Sequence, residues 1–379
     1  MAELEKREEI SEEILSEKEE KIYVASQWKL MWWRFRRNKL AILGGIILII
    51  FYIIAAFCEF FAPYDPHQYD VRYVLAPPQD VRFIDETGFH LRPFVYSYQM
   101  EIDPVTLQRI YKEDKSKKYP IKFFVRGHEY KLLGLFKTNI HLFGVEEGGH
   151  VFLFGTDSMG RDVFSRVIYG TRISMTVGLV GIFLSFIFGI VIGGISGYYG
   201  GPFDLLIQRI IEIIRSIPTL PLWMALSAAV PANWSPVKVY FAISIILSFI
   251  GWTGLAREVR SKFLSLREED FVTAAKLAGA SERRIIFRHM LPSFLSHIIA
   301  SLTLSIPSMI IGETSLSFLG LGIRPPAISW GVLIQDAQNF RTVALAPWLL
   351  LPVVFIIIVV LSFNFVGDGL RDAADPYSR

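Results

Sequence analysis

Apolar residues in this chain gather in long blocks separated by polar stretches. A bilayer core is about 30 Å thick and takes roughly 20 apolar residues in helix to cross. Six blocks approach or exceed that length, at about 40–62, 173–199, 205–230, 237–256, 292–312 and 344–366. The pattern predicts an all-α polytopic membrane protein with about six transmembrane helices. Between the first two blocks the chain turns mixed and rich in Pro, Tyr and Phe, with short β-prone segments at 121–126 and 130–136 separated by turn residues. Such segments predict a small β-rich insertion. The expected division is a tail and interfacial helix over 1–39, a first span over 40–63, an insertion domain over 64–155, and a transmembrane domain over 156–379 that contains a basic loop at 257–291.

The polar stretches set the orientation. Residues 1–24 carry nine Glu against Lys6, Arg7, Lys18 and Lys21 and lack an apolar face, which predicts a solvated helix or disordered tail. From Trp28 to Lys39, five cations sit among Trp28, Trp32 and Trp33. Aromatic rings favour the headgroup level and cations the cytoplasmic side, so this reads as an interfacial helix on the inner leaflet. The densest short basic loop, 257–291, belongs in the cytoplasm by the same rule. Counting spans from a cytoplasmic N-terminus also puts that loop inside, with the C-terminus inside and the insertion outside. Arg161, Arg166 and Arg172 precede the second span on the outer side, against that bias, and are expected on a surface helix.

Composition then narrows the chemistry. The chain is 52% hydrophobic, and its net charge of +3 follows from basic residues beside apolar spans, so no nucleic-acid partner is needed. The single cysteine, Cys58, lies in an apolar run and excludes an internal disulfide or a thiolate cluster. The first apolar run is too long for a cleavable leader. No G-x-x-x-x-G-K-[ST] loop, H-E-x-x-H or G-x-S-x-G occurs, and the seven His are dispersed. An enzyme with its own ATPase, metal or cofactor site is not expected.

Local patterns point to moving parts. In the basic loop, Ser265 with Glu268 fits a capping box, Ala274, Ala275 and Ala278 are small, Gly279 suits a helix C′ position, and Ser281 can cap a second helix running to Leu291 and Pro292. Small residues let a partner surface approach closely, and a rigid helix transmits force. Gly189, Gly193 and Gly197 repeat every four residues, a small-residue face for helix packing. Arg209, Glu212 and Arg215 begin the third span. A charge at the membrane centre costs at least about 2.5–3.5 kcal/mol, so these should pair, sit near the inner interface or face a wet route. Pro218 and Pro221 interrupt helix hydrogen bonding, and broken helices flank substrate routes in transporters. The route is therefore expected near Glu212, Arg215, Pro218, Pro221 and Trp223, with Glu313 and His297 as weaker choices.

The run T-A-A-x-x-x-G, nine residues, then H-M-L-P (Thr273 to Pro292) resembles the signature loop of importer-type ABC transporter permeases. That loop usually begins E-A-A and closes I-x-L-P; Thr273 and His289 depart from it. FGTDSMGRDVFSRVIYGTRIS (154–174), GGISGYYGGPFD (193–204), ETSLSFLGLGIRPP (313–326), SWG (329–331) and FNFVGDGLRDAADP (363–376) resemble the C-type permease subunit of dipeptide and oligopeptide importers. The resemblance covers roughly 28–64 and 154–379 and leaves out 65–153.

The resemblance implies a multi-pass subunit of the cell membrane with both termini cytoplasmic, forming half of a solute path. It implies a second, similar permease in a heterodimer, two cytoplasmic ATPases that use the ATP, an extracytoplasmic solute-binding protein and surrounding lipid. Thr273, Ala274, Ala275, Gly279, Ala280, Leu291 and Pro292 would dock on an ATPase. The expected cargo is a di- or oligopeptide, with oligosaccharide or nickel as alternatives within the family. An ion-coupled secondary transporter would need internal repeats and an intramembrane ion site. A receptor that senses a ligand through 65–153 would rarely need six spans.

Overall fold

The computed structural model describes residues 26–86, 88–105, 108–146 and 148–375; the acidic stretch 1–24 lies outside the described residues. Among the described residues, five helices are long and apolar enough to cross a membrane, or six if one bent pair counts as a single span. Helix α1 (Gln27–Phe35) leads to α2 (Lys39–Ala56), whose first turn is capped by Asn38 accepting from the Ala41 N–H at 3.1 Å. Trp28 and Trp32 of α1 are exposed, and the Lys29 ammonium lies over the Trp33 ring. A short α3 (Cys58–Phe61) follows, with Cys58 buried.

The insertion is built of two small antiparallel sheets. One orders β1 (Arg82–Asp85), β2 (Gly88–Ile102) and β3 (Arg109–Pro120), with Val95 opposite Tyr119. The other pairs β4 (Lys122–Leu132) with β5 (Phe136–Gly144). The segment expected at 121–126 and the start of that at 130–136 instead share one strand, β4, whose register shifts between Arg126 and Tyr130, and the turn comes later, at 133–135. The residues between Arg126 and Tyr130 bulge rather than turn. A small core of Val95, Ile121 and Val151, with Tyr119 and Phe143 packed against it, joins the two sheets.

Helix α4 (Val163–Tyr199) crosses next and packs along α7 (Pro236–Leu266). A Cβ on Gly189 would lie 2.8 Å from Leu255 Cβ, one on Gly193 would strike the Ala256 carbonyl oxygen, and one on Gly197 would lie 2.7 Å from the Arg260 carbonyl oxygen. Only glycine allows backbones this close, and in lipid such packing holds helices together. The contacts advance along both helices in the same direction, so α4 and α7 run parallel. The chain between them must therefore return across the bundle.

It does so as α5 (Gly201–Ser216) and α6 (Thr219–Ala228), bent 86° against each other. The single straight span expected at 205–230 is thus broken. Pro218 disfavours the helical conformation at the residue before it, and Ile217 adopts φ −87°, ψ 129°.

Beyond α7, α8 (Asp270–Leu277) precedes α9 (Glu282–Phe318), which contains a π-helical turn at Ile285–Met290. The short α10 (Trp330–Gln335) buries Trp330 against α4, where its indole N–H donates to the Val167 carbonyl at 3.2 Å. A brief α11 (Phe340–Leu345) leads to α12 (Leu351–Ala374). Gly369 of α12 abuts Ala41 of α2, and the Arg34 guanidinium donates to the Asp375 carbonyl. Both described ends of the chain therefore lie at the end of the bundle that carries α8, and the insertion lies at the other.

The three arginines ahead of the second span are not on a surface helix. Arg161 and Arg166 both pair with Asp157, and Arg166 is only 4% exposed. Arg172 pairs through both terminal nitrogens with Glu59, at 2.6 and 2.7 Å, and donates to the Ala55 and Ala56 carbonyls. It thereby satisfies the last carbonyls of α2, which have no partner within the helix. Each paired with a carboxylate, these cations do not report the side of the membrane. Beside them, the Asp162 carboxylate caps α4 by accepting from the Ser165 N–H at 2.7 Å. Burial pushes the Asp162 carboxyl up to about 7.

Candidate functional site

Helix α7 continues to Leu266, two to three turns past the expected end of its span, and carries Arg257, Arg260 and Lys262 out of the apolar zone. Ser265 and Glu268 therefore do not form a capping box. Ser265 lies in the last turn of α7, held there by buried Val259 and Phe263, and Glu268 pairs with Arg267. The next helix starts at Asp270, whose carboxylate sits in the first turn and suits the helix dipole.

Helix α8 ends as its sequence predicts. Gly279 takes φ +73°, the Ala280 N–H donates to the Ala275 carbonyl at 3.0 Å, and the Gly279 N–H donates to that of Lys276 at 3.0 Å. This is the paired-bond helix stop that a glycine at C′ permits. Val272 is fully buried among Phe263, Ile285, Met290 and Phe294, which wedges α8 between α7 and α9. Tyr199, the last residue of α4, donates its hydroxyl to Glu282 at 2.9 Å and ties a third helix to the start of α9. Ser281 precedes α9 without a side-chain capping bond. The helix does not stop at Pro292. The π turn just before it widens the backbone, which relieves the clash a proline makes with the carbonyl four residues earlier.

Of the loop residues expected to dock, Thr273, Ala274, Gly279 and Pro292 are exposed, while Ala275, Ala280 and Leu291 are half-buried against the Val272 cluster. The outward face of α8 also presents two large apolar side chains, Phe271 at 42% and Leu277 at 85% exposure.

Arg209 and Glu212 form an exposed ion pair at 2.7 Å, and Arg215 takes no part in it. Arg215 instead lines a cavity of about 250 Å³ between α4, α5, α7 and α9, together with Ser185, Glu258 and Ser301. Pro218 and Pro221 are exposed at the α5–α6 bend, and Trp223 is half-buried against Gly312. Glu313 does not line the cavity. It is fully buried, its carboxylate accepts from the Ser317 hydroxyl at 2.7 Å, and Ser317 in turn accepts from the Ile323 N–H. Glu313 therefore anchors the segment after α9.

Residues 189–379 match the family described as binding-protein-dependent transport system inner membrane component. The chain belongs to that family. Residues 26–78 of this permease match the N-terminal TM domain of oligopeptide transport permease C. The permease is 42% identical to the oligopeptide transport system permease protein OppC of Haemophilus influenzae, over 62% of this chain and 72% of that one. It is 43% identical to the dipeptide transport system permease protein DppC of Alkalihalophilus pseudofirmus, over 59% and 71% of the two chains. To DppC of Haemophilus influenzae it is 30% identical over 91% of this chain and 93% of that one.

Three features of the permease escape sequence reading. Asp204 of α5 accepts two bonds from Arg260 of α7 and one from the Ser196 hydroxyl, which braces three helices above α8. The Tyr199–Glu282 bond is the second. Glu258, a cavity residue, is the third. Only helix orientation turns it toward the cavity, and its place among Arg257, Arg260 and Lys262 gave no signal in the sequence.

Proposed function

We propose that this permease is the membrane half of an ATP-driven importer for di- and oligopeptides, powered by separate ATPase subunits that dock on α8. The observation that carries the reading is the geometry of α8. It is a short helix wedged against α7 and α9 by Val272, yet it leaves Phe271 and Leu277 open. Isolated large apolar side chains on an otherwise charged loop suit a groove in a partner protein. Because α8 contacts the ends of helices that cross the membrane, displacement there passes up packed elements as rigid-body motion.

The remaining assignments follow. A second permease completes the path, and a solute-binding protein delivers cargo at the insertion end. The α8 end, where Arg34, Arg36, Arg37 and Lys39 join the basic loop, faces the cytoplasm with both termini. ATP is bound by the partner subunits. The peptide assignment follows the relatives, which are named as dipeptide and oligopeptide permeases. The test is ATP hydrolysis by the purified whole complex in the presence of its binding protein and one cargo at a time. Short peptides should stimulate hydrolysis several-fold. Stimulation by oligosaccharide or nickel alone contradicts the cargo, and copurification with no ATPase contradicts the reading.

A further inference from the structure

The cavity beside Arg215 is one stage of a longer cleft. Glu258 and Ser301 also line a second cavity of about 180 Å³ with His297 and Arg371. His297 and Arg371 then border an open cavity of about 760 Å³ at the α8 end. The three share walls in succession and lead toward the loops. Glu258 precedes Leu266, the last residue of α7, by eight positions, so it stands about 12 Å above the end of that helix.

Two properties separate this cleft from a lipid-facing groove. It is lined by charged side chains from α5, α7 and α12, which hydrocarbon tolerates poorly, so the face must be wet or covered by protein. Its first two charges are also uncommitted. Asp204 pairs with Arg260, Glu59 with Arg172 and Asp157 with Arg166, whereas among the described residues no ion pair joins Arg215 or Glu258 to a partner. A cation from α5 and an anion from α7 therefore border one cavity, with the hydroxyls of Ser185 and Ser301 beside them. Gly254 adds no side chain beneath the Arg215 guanidinium, which lies 3.8 Å from where its Cβ would be.

We propose that this cleft is a transient binding site, on the exit half of the solute route, for molecules bearing both an ammonium and a carboxylate. Glu258 accepts hydrogen bonds from the ammonium, and Arg215 donates to the carboxylate in the forked geometry that guanidinium favours. A short peptide with free termini is such a molecule, and a neutral sugar is not. The inference rests on the importer reading and deepens its cargo class. Both side chains are solvent-exposed, which keeps the hold weak enough to release cargo toward the loops.

The test uses the whole complex with its binding protein in proteoliposomes, with a labelled tripeptide, scoring uptake and ATP hydrolysis together. Glu258→Gln and Arg215→Gln should each lower peptide moved per ATP by about fivefold to tenfold, the loss of one charge-assisted contact, with stimulated hydrolysis within about twofold of wild type. Arg209→Gln, on the exposed face of α5, should match wild type. As a measure independent of these variants, Ser301→Cys should react with a small thiol reagent, and tripeptide should slow that reaction. Unchanged peptide per ATP in both Gln variants, or uptake and hydrolysis falling together, overturns the site; so does labelling of Ser301→Cys that ignores peptide. If the wild-type complex moves no tripeptide, the importer-of-peptides reading fails first.

Discussion

Gly279→Ala isolates one property of the loop, its backbone conformation. Gly279 has φ +73°, and a Cβ built there meets no atom within 4 Å, so the substitution introduces no collision. The cost is the left-handed conformation itself, about 1–2 kcal/mol for an L-residue. Escaping that strain would break the two bonds that end α8, from Ala280 to Ala275 and from Gly279 to Lys276, each worth about 1 kcal/mol. The two costs are comparable, so the variant divides between a strained native stop and a frayed one. A 1–2 kcal/mol shift corresponds to roughly 5–30-fold in the population of the docking geometry. Gly279→Asn should cost less, because Asn tolerates this region. Gly279→Pro should cost more, because proline fixes φ near −65° and removes the N–H. The assay is uptake per ATP in proteoliposomes beside thermal unfolding of the purified complex. Uptake per ATP should fall in the order Asn, Ala, Pro, with the unfolding temperature nearly constant because the site is exposed. Wild-type coupling in both the Ala and Pro variants would refute the claim that the α8 stop positions a lever.

Three further outcomes follow from packing and charge. Gly193→Ala drives a methyl into the Ala256 backbone, which cannot rotate away; thermal unfolding should show a loss of about 1–3 kcal/mol, while Gly45→Ala, whose Cβ would sit 3.9 Å from Val366, should be near neutral. Arg172→Met strands the Glu59 carboxylate and should destabilise by about 2–3 kcal/mol, below the range for a fully buried pair because the Arg172 side chain is 38% exposed; the double variant with Glu59→Leu should recover much of the loss, and no recovery would contradict the pairing. Burial raises the Asp162 carboxyl from 3.8 to about 7, so the native state binds the extra proton and stability falls as pH rises from about 4 through about 7; Asp162→Asn keeps the cap and should flatten the change in unfolding temperature between pH 5 and pH 8.

The spans were readable because hydropathy alone sets them, and the glycine face because a four-residue repeat leaves little else to do. The α8 stop was readable at Gly279, where local backbone geometry decides the outcome. Its start was not. The Ser265–Glu268 pattern is a valid local signal, but burial of Val259 and Phe263 against α9 extends α7 through it, and tertiary packing outweighs a cap. The 86° bend was half-legible, since Pro218 marked an interruption whose angle depends on neighbours. Arg172 could not be interpreted locally because Glu59 lies 113 residues away in sequence. Glu313 could not be placed for a related reason. Sequence shows a carboxylate on an apolar helix but not the face it occupies, and packing buries this one against the Ser317 hydroxyl.

The most direct measurement is a site-specific crosslink from residue 277. Leu277 is 85% exposed on α8, and the native Cys58 is buried, so Leu277→Cys supplies one accessible thiol. In membranes carrying the assembled complex, a short bifunctional reagent should join residue 277 to the ATPase subunit, with a yield that changes between nucleotide-free and ATP-bound states. Absence of that product, with residue 277 instead labelled by a membrane-impermeant reagent added outside intact cells, would contradict the account.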